Sequence, residues 1–123
     1  MQPERLFEED NISKAFDAYL QTHSISVAAI PRAESVMESH ALRERVVELT
    51  MTFLQKIGYR ADPFSQYRSQ MHDITHAIYG AAADVFVTGD DRFLHRLRAT
   101  YAFLKLRTRL FAANDLHRLL LSQ

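Results

Sequence analysis

The fold is decided by residues 72–93, which read HDITHAIYGAAADVFVTGDDRF. Apolar side chains recur at helical spacing from Tyr67 to the alanines at 81–83, and the spacing changes abruptly at residues 85–88, VFVT. This change predicts a helix followed by a short buried strand. The sequence GDD at 89–91 then predicts a turn, and the spacing of Phe93, Leu97 and Leu104 predicts an amphipathic helix over 92–104.

The rest of the chain extends this alternation of helices and strands in both directions. Upstream, the pattern predicts a helix over 4–20, a strand over 25–29, a helix over about 31–57 that stops at Gly58, and a loop over 58–65. Downstream, it predicts a strand over 106–110 and a short helix over 114–121. Strands separated by helices favour an α/β sandwich with a short parallel sheet flanked by helices.

Composition is typical of one folded domain spanning residues 1–123. Hydrophobic residues make up 47% of the 123-residue chain, cysteine is absent, and acidic and basic residues balance at 15 each. The absence of cysteine excludes a disulfide framework. No apolar run approaches the roughly 18 residues of a membrane span. We expect a cytoplasmic protein with no membrane segment. The charges balance over the whole chain but not within its two parts, since residues 1–89 carry a net charge of −4 and residues 90–123 carry +4.

Three acidic residues are predicted to meet at the carboxyl end of the sheet, where open parallel sheets place their sites. Glu34 falls in the first turn of the helix after strand 25–29, and Asp90 directly follows strand 85–88. A helix over 73–83 rises about 16 Å, and the following strand returns about 13 Å. The two lengths nearly cancel, which predicts that Asp73 lies beside Asp90.

Carboxylates gathered in one pocket repel one another unless a proton or a hard divalent cation neutralises them, so Mg²⁺ or Mn²⁺ is the expected cofactor. Such a cation activates a bound water and binds a phosphoryl oxygen, as phosphodiester cleavage requires. The same residues also have structural interpretations. Glu34 is then a helix-start acid, Asp73 a solvated acid, and Asp90 or Asp91 the N-cap of helix 92–104.

Residues 72–93 resemble the C-terminal half of PIN-domain nucleases, in which an acid opens a helix and a strand with a VT-x-D-x-x-F turn follows. Residues 26–34 are similar, more weakly, to the strand and helix start that carry the second acid of that family. The resemblance implies a PIN-like three-layer sandwich and a metal-dependent ribonuclease that hydrolyses RNA, as many toxin ribonucleases do. Glu34, Asp73 and Asp90 would be catalytic metal ligands, with Asp91 a substitute for Asp90.

The chain departs from the PIN pattern at its start, because PIN domains open with a central strand that ends in Asp. No residue before 24 has the pattern of a buried strand, so we expect a PIN-like domain that is incomplete at its N-terminus and lacks one catalytic Asp. Unpaired strand edges favour association. The alternative function is therefore a non-catalytic or degenerate PIN-like module that acts through self-association or a protein partner. The partners implied by the resemblance are RNA, a second copy of the chain in a homodimer and, for a toxin-like nuclease, an antitoxin-like protein.

Basic side chains after residue 89 suggest how RNA would bind. Arg92, His95 and Arg96 lie on one predicted helix and are candidates for contact with substrate phosphates, although arginines at this spacing also occur on solvated helix faces. Thr88 either hydrogen-bonds the metal-bound water or ends the strand.

Histidine offers a competing metal chemistry. His72 and Asp73 form the dipeptide of HD-type phosphohydrolases, and His72 and His76 have the i, i+4 spacing that lets two imidazoles share a metal. The HD fold is wholly helical, however, and has no place for a buried strand at 85–88. We therefore favour a role for His76 in orienting Asp73.

Overall fold

A computed structural model describes residues 2–23, 40–61, 67–115 and 120–121. The chain is mixed α/β and mostly helical. Its elements are a 3-10 helix Pro3–Glu8, helices α1 (Asp10–Gln21), α2 (His40–Lys56), α3 (Tyr67–Gly80) and α4 (Asp91–Leu104), strands β1 (Val85–Thr88) and β2 (Arg109–Ala112), and a 3-10 helix Ala113–Asp115. None of the helices in these ranges is both long and apolar enough to cross a membrane. The predicted strand 25–29 and Glu34 lie outside the described residues.

The two described strands pair in parallel, as the alternation of helices and strands predicts. Val85 is opposite Arg109 and Thr88 is opposite Ala112, so the strands are aligned over their full length. Helix α4 connects the end of β1 to the start of β2. Strand β1 has the bounds that the change of period predicts, and α4 begins one residue before its predicted start.

Strand β2 begins three residues later than predicted, at Arg109 instead of Leu106. Lys105 ends α4 in the left-handed conformation with φ +56°, and the Leu106 N–H donates to the Tyr101 carbonyl at 2.9 Å. Thr108 is buried, with its hydroxyl oxygen 2.8 Å from the Gly80 carbonyl and 2.7 Å from the Ala83 carbonyl. Residues 105–108 therefore close the helix and bind the α3–β1 turn before pairing with β1 starts. Beyond β2, the predicted helix 114–121 lies partly outside the described residues.

The predicted N-terminal helix over 4–20 is two helices. Glu9 is extended, with φ −70° and ψ 128°, and separates the 3-10 helix from α1. The break places the ring of Phe7 4.7 Å from that of Phe103 on α4. At the far end of α2, Gly58 has φ +78°, which confirms it as the helix stop because glycine adopts that conformation without steric cost.

The buried side chains form two clusters on the two sides of α4. The helix–sheet cluster joins α2, α3 and α4 and packs against both strands; it contains Val46, Val47, Met51, Ala77, Ala81, Phe93, Leu97, Tyr101 and Leu104. The aromatic cluster joins α1, α2 and α4 to the 3-10 helix; it contains Leu6, Phe16, Leu20, Leu49, Phe53, Leu54 and Ala99, with Phe7, Tyr19 and Phe103 packed against them. Helix α4 is thus the central helix of the described fold.

Candidate functional site

Asp90 lies at the carboxyl end of β1 and caps α4. Its backbone is extended, with φ −92° and ψ 107°, and its Oδ1 accepts a hydrogen bond from the Phe93 N–H at 3.1 Å. The Asp90 N–H donates to the Thr88 hydroxyl at 3.2 Å. Thr88 therefore helps shape the turn that positions Asp90. Both structural interpretations of this segment, an N-cap at Asp90 and a strand end at Thr88, hold in the structure.

Asp73 lies on α3 and is partly buried, with 28% of its side chain exposed. Its Oδ2 is 3.1 Å from Nη2 of Arg96. Burial raises the pKa of the Asp73 carboxyl, because desolvation outweighs the opposing attraction of the Arg96 guanidinium. The negative charge of Asp90 raises this pKa further, and His76 lowers it. The charge of Asp90 therefore acts on Asp73, and a shared site for the two carboxylates stays a prediction.

Each of the two carboxylates uses one oxygen for a contact inside the protein. Asp73 Oδ2 accepts a hydrogen bond from Arg96 Nη2, and Asp90 Oδ1 accepts one from the Phe93 N–H. No other described residue hydrogen-bonds Asp73 Oδ1 or Asp90 Oδ2. Each carboxylate is thus held in place through one oxygen, and its other oxygen has no hydrogen-bond partner among the described residues. These are hard oxygen donors, the type that Mg²⁺ and Mn²⁺ prefer.

Arg96 connects three helices from an interior position. It is 3% exposed, it donates from Nη1 to the Gln55 side-chain oxygen at 3.3 Å, and its guanidinium carbon lies 5.8 Å from the centre of the Phe93 ring. The guanidinium thus faces Asp73 and Gln55, and it presents little surface to a substrate phosphate. A cavity of about 20 Å³, close to the volume that one water occupies, adjoins it. The cavity is lined by Met51, Thr52, Gln55, Gln70, Asp73, Ile74 and Arg96.

The remaining predicted site residues lie near the surface on α3 and α4. Arg92 is exposed in the first turn of α4. His95 Nδ1 lies 2.8 Å from the Asp91 carbonyl oxygen and 3.6 Å from Asp91 Oδ1, and the Asp91 side chain is 73% exposed. His76 is also exposed, with its ring 6.4 Å from that of His72.

Within the described ranges, no group of three or more His, Cys, Asp or Glu side chains is placed to hold a metal ion. Glu34, the third predicted ligand, belongs to residues 24–39, outside those ranges. The described part of the candidate site is therefore a pair of carboxylates with an arginine behind one of them. No protein family, curated protein or solved structure matches the chain. The functional interpretation accordingly rests on this geometry and on the resemblance of residues 72–93.

Gln55 is the member of the site that the sequence pattern does not indicate, because its contact with Arg96 joins positions that are 41 residues apart. The interior position of Arg96, by contrast, has a signal in the sequence. Arg96 is three residues after Phe93 and four before Thr100, and both are buried on the same helix. This spacing favours the buried face of α4 for Arg96. Arg92 lies four residues earlier on the same side of the helix, but it is in the first turn, where its side chain is exposed.

Proposed function

We propose that the chain is a PIN-like nuclease domain that hydrolyses RNA phosphodiester bonds with Mg²⁺ or Mn²⁺. The observation that carries this proposal is that Asp73 and Asp90 are each held through one carboxylate oxygen, by Arg96 and by the Phe93 N–H, while the other oxygen has no partner among the described residues. The negative charge of Asp90 also acts on Asp73. These two side chains and Glu34 would hold the cation. A cation bound there would supply a water of lowered pKa and a contact for the phosphoryl oxygen.

The protein's own side chains would fix the geometry of this reaction. Arg96 holds Asp73 from the interior, and the Phe93 N–H holds Asp90 at the start of α4. The exposed guanidinium of Arg92, two residues after Asp90, would contact the RNA backbone beside the scissile phosphate. Asp73 and Asp90 would hold the cation, and the exposed Arg92 would add positive charge beside them for an RNA phosphate.

Cation binding is tested by titrating Mn²⁺ and following thermal unfolding. A cation that binds only the folded protein raises its Tm, and we expect a rise of several degrees when Mn²⁺ is far above its Kd. The Asp73→Asn, Asp90→Asn double variant should lose this rise. Asp84→Asn is the matched control, because Asp84 is an exposed carboxylate just before the opposite end of β1. An equal rise in the double variant would contradict the proposed site.

Hydrolysis is tested by incubating the protein with mixed RNA and Mn²⁺ beside the same variants. We expect cleavage by the wild type and by Asp84→Asn, and none by the double variant. Removal of Mn²⁺ with a chelator should stop the reaction. Cleavage that persists in the double variant would come from another site or another protein.

The second candidate function is a non-catalytic PIN-like module that acts through self-association or a protein partner. One observation favours it: both carboxylates already have structural contacts, since Asp73 pairs with Arg96 and Asp90 caps α4. A wild-type protein that shows neither a Mn²⁺-dependent rise in Tm nor RNA cleavage, and that sediments as a dimer, would support this function over the nuclease.

A further inference from the structure

Arg96 places a positive charge directly behind the candidate cation site. Its side chain is 4% exposed, and its two terminal nitrogens contact Asp73 Oδ2 at 3.1 Å and Gln55 Oε1 at 3.3 Å. The third nitrogen, Nε, is buried and has no hydrogen-bond partner among the described residues. Arg96 lowers the pKa of the Asp73 carboxyl more than His76 does, whereas burial and the charge of Asp90 raise it.

Such an arrangement is costly if its only purpose is to join helices. A buried guanidinium loses its hydration, and an unpaired Nε adds to that loss. Apolar side chains of similar volume join helices at equal or lower cost, and the neighbours Phe93 and Leu97 already pack in this way. The cost therefore indicates that the charge at position 96 has a role of its own, and the charge it faces is that of Asp73.

We infer that Arg96 is an internal counter-ion that limits the affinity of the Asp73–Asp90 site for divalent cations. This inference rests on the proposed function. Without a cation, the guanidinium offsets part of the repulsion between the two carboxylates and keeps Asp73 in place. With a cation, the guanidinium and the cation share Asp73 and repel each other, so the free protein binds the cation weakly. Additional negative charge, such as a substrate phosphate, then strengthens binding.

Two variants remove the effect of this charge by different routes. Arg96→Met deletes the charge and keeps much of the side-chain length. Gln55→Glu leaves Arg96 in place and gives it a second carboxylate, since Gln55 Oε1 already accepts from Nη1. We expect both to lower the Mn²⁺ Kd, by about tenfold for Arg96→Met and by a few-fold for Gln55→Glu, as removing or offsetting a nearby like charge predicts. Arg96→Lys keeps the charge and should stay within about twofold of wild type.

The measurements are the Kd for Mn²⁺ from calorimetry and the Tm with and without Mn²⁺. A counter-ion predicts that Arg96→Met lowers the metal-free Tm and increases the rise that Mn²⁺ produces. A purely structural Arg96 predicts a lower Tm with an unchanged or weaker Kd, and that result would overturn the inference. If Arg96→Met does not fold, Gln55→Glu decides, and an unchanged Kd in that variant overturns it equally.

Failure of the inference is distinguishable from failure of the proposed function. If neither the wild type nor the two variants bind Mn²⁺, both the cation site and the inference are wrong. If the wild type binds Mn²⁺ and the variants bind it no more tightly, the site stands and Arg96 is only a structural link. Adding Asp73→Asn to Gln55→Glu should abolish the gain, which places the extra binding at Asp73.

Discussion

The two buried clusters on either side of α4 are built from different interactions. In the aromatic cluster, five ring pairs among Phe7, Phe16, Phe53 and Phe103 have centroids 4.7–6.2 Å apart, and these contacts are apolar. In the helix–sheet cluster, buried polar groups bind the backbone at the end of α3: the Tyr101 hydroxyl donates to the Ala77 carbonyl, and the Thr108 hydroxyl contacts two further carbonyls.

The aromatic cluster therefore contributes mainly to stability, and the helix–sheet cluster fixes the position of the α3–β1 turn. Apolar burial is non-directional, so the aromatic cluster holds the 3-10 helix, α1 and α2 against α4 without fixing any one angle sharply. Hydrogen bonds are directional, and those at the end of α3 fix where the α3–β1 turn lies. Asp73 precedes this turn and Asp90 follows the strand after it, so we expect the polar contacts to influence the distance between the two carboxylates. Three predictions test this division.

The largest effect is expected from Phe16→Ala in the aromatic cluster. Phe16 is 1% exposed, and its ring lies 4.8 Å from that of Phe53 and 5.0 Å from that of Phe7. Removing it deletes a large buried surface and leaves a cavity, which should lower the free energy of unfolding by about 3–5 kcal/mol. Urea denaturation measures the loss. At temperatures where the variant is folded, its Kd for Mn²⁺ should match the wild type.

The matched control is Tyr79→Ala, since Tyr79 is an aromatic residue with 70% exposure on α3. A surface truncation of this kind should change the free energy of unfolding by less than about 0.5 kcal/mol. If Phe16→Ala costs no more than this control, the aromatic cluster does not carry the stability assigned to it.

Gly80→Ala in the helix–sheet cluster is expected to lower stability less than Phe16→Ala does, but to weaken Mn²⁺ binding, which Phe16→Ala leaves unchanged. A Cβ at position 80 would lie 2.7 Å from the Tyr101 hydroxyl oxygen and 2.9 Å from Cδ2 of Phe86. Both contacts are too short for a carbon atom, so both side chains or the turn itself must shift, which should cost about 1–3 kcal/mol. Binding of Mn²⁺ should weaken as well, because the turn sets the positions of Asp73 and Asp90.

Two further variants separate the causes. Gly58→Ala meets no atom within 4 Å but must adopt a φ of +78°, so it should cost about 1 kcal/mol with no effect on Mn²⁺. Adding Tyr101→Phe to Gly80→Ala removes the nearest obstructing atom. The double variant should therefore lose less stability than the sum of the two single variants. Strict additivity would show that the Tyr101 hydroxyl is not the obstruction.

The sequence predicts the helix–sheet half of the fold better than the connections within it. The change of period at 85–88 is local and strong, and it gives β1 with its correct bounds. The start of β2 depends on the left-handed Lys105 and on the bonds that Thr108 makes to residues 25 and 28 positions earlier. These are tertiary contacts, so alternation over 106–110 alone misplaces the strand. The break at Glu9 likewise depends on packing against α4.

The candidate site shows the same limit. The lengths of α3 and β1 predict that Asp73 and Asp90 lie near each other, because both elements have fixed rises per residue, and this stays a prediction. The pairing of Arg96 with Asp73 joins positions 23 residues apart on two helices, and only the packing of α4 against α3 determines it. Charge alone made Arg96 a candidate for phosphate contact, whereas its spacing from Phe93 and Thr100 indicates an interior position.

The smallest of the three main effects at neutral pH is expected from Tyr101→Phe, and the pH dependence of this effect makes it informative. Tyr101 is 3% exposed, and burial raises the pKa of its hydroxyl well above the usual tyrosine value of about 10. The variant loses one hydrogen bond to the Ala77 carbonyl, which should cost about 1 kcal/mol at pH 7.

Above pH 10, the unfolded wild type releases the Tyr101 proton and the folded protein retains it. The wild type therefore loses about 1.4 kcal/mol of stability from this group for each further pH unit, and the phenylalanine variant does not. The gap between the two proteins should close near pH 11. Urea denaturation at pH 7, 10 and 11 measures it. A gap that stays constant over this range would show that the hydroxyl ionises as readily in the folded protein as in the unfolded chain. The Tyr101 hydroxyl would then not be the buried group that holds the end of α3.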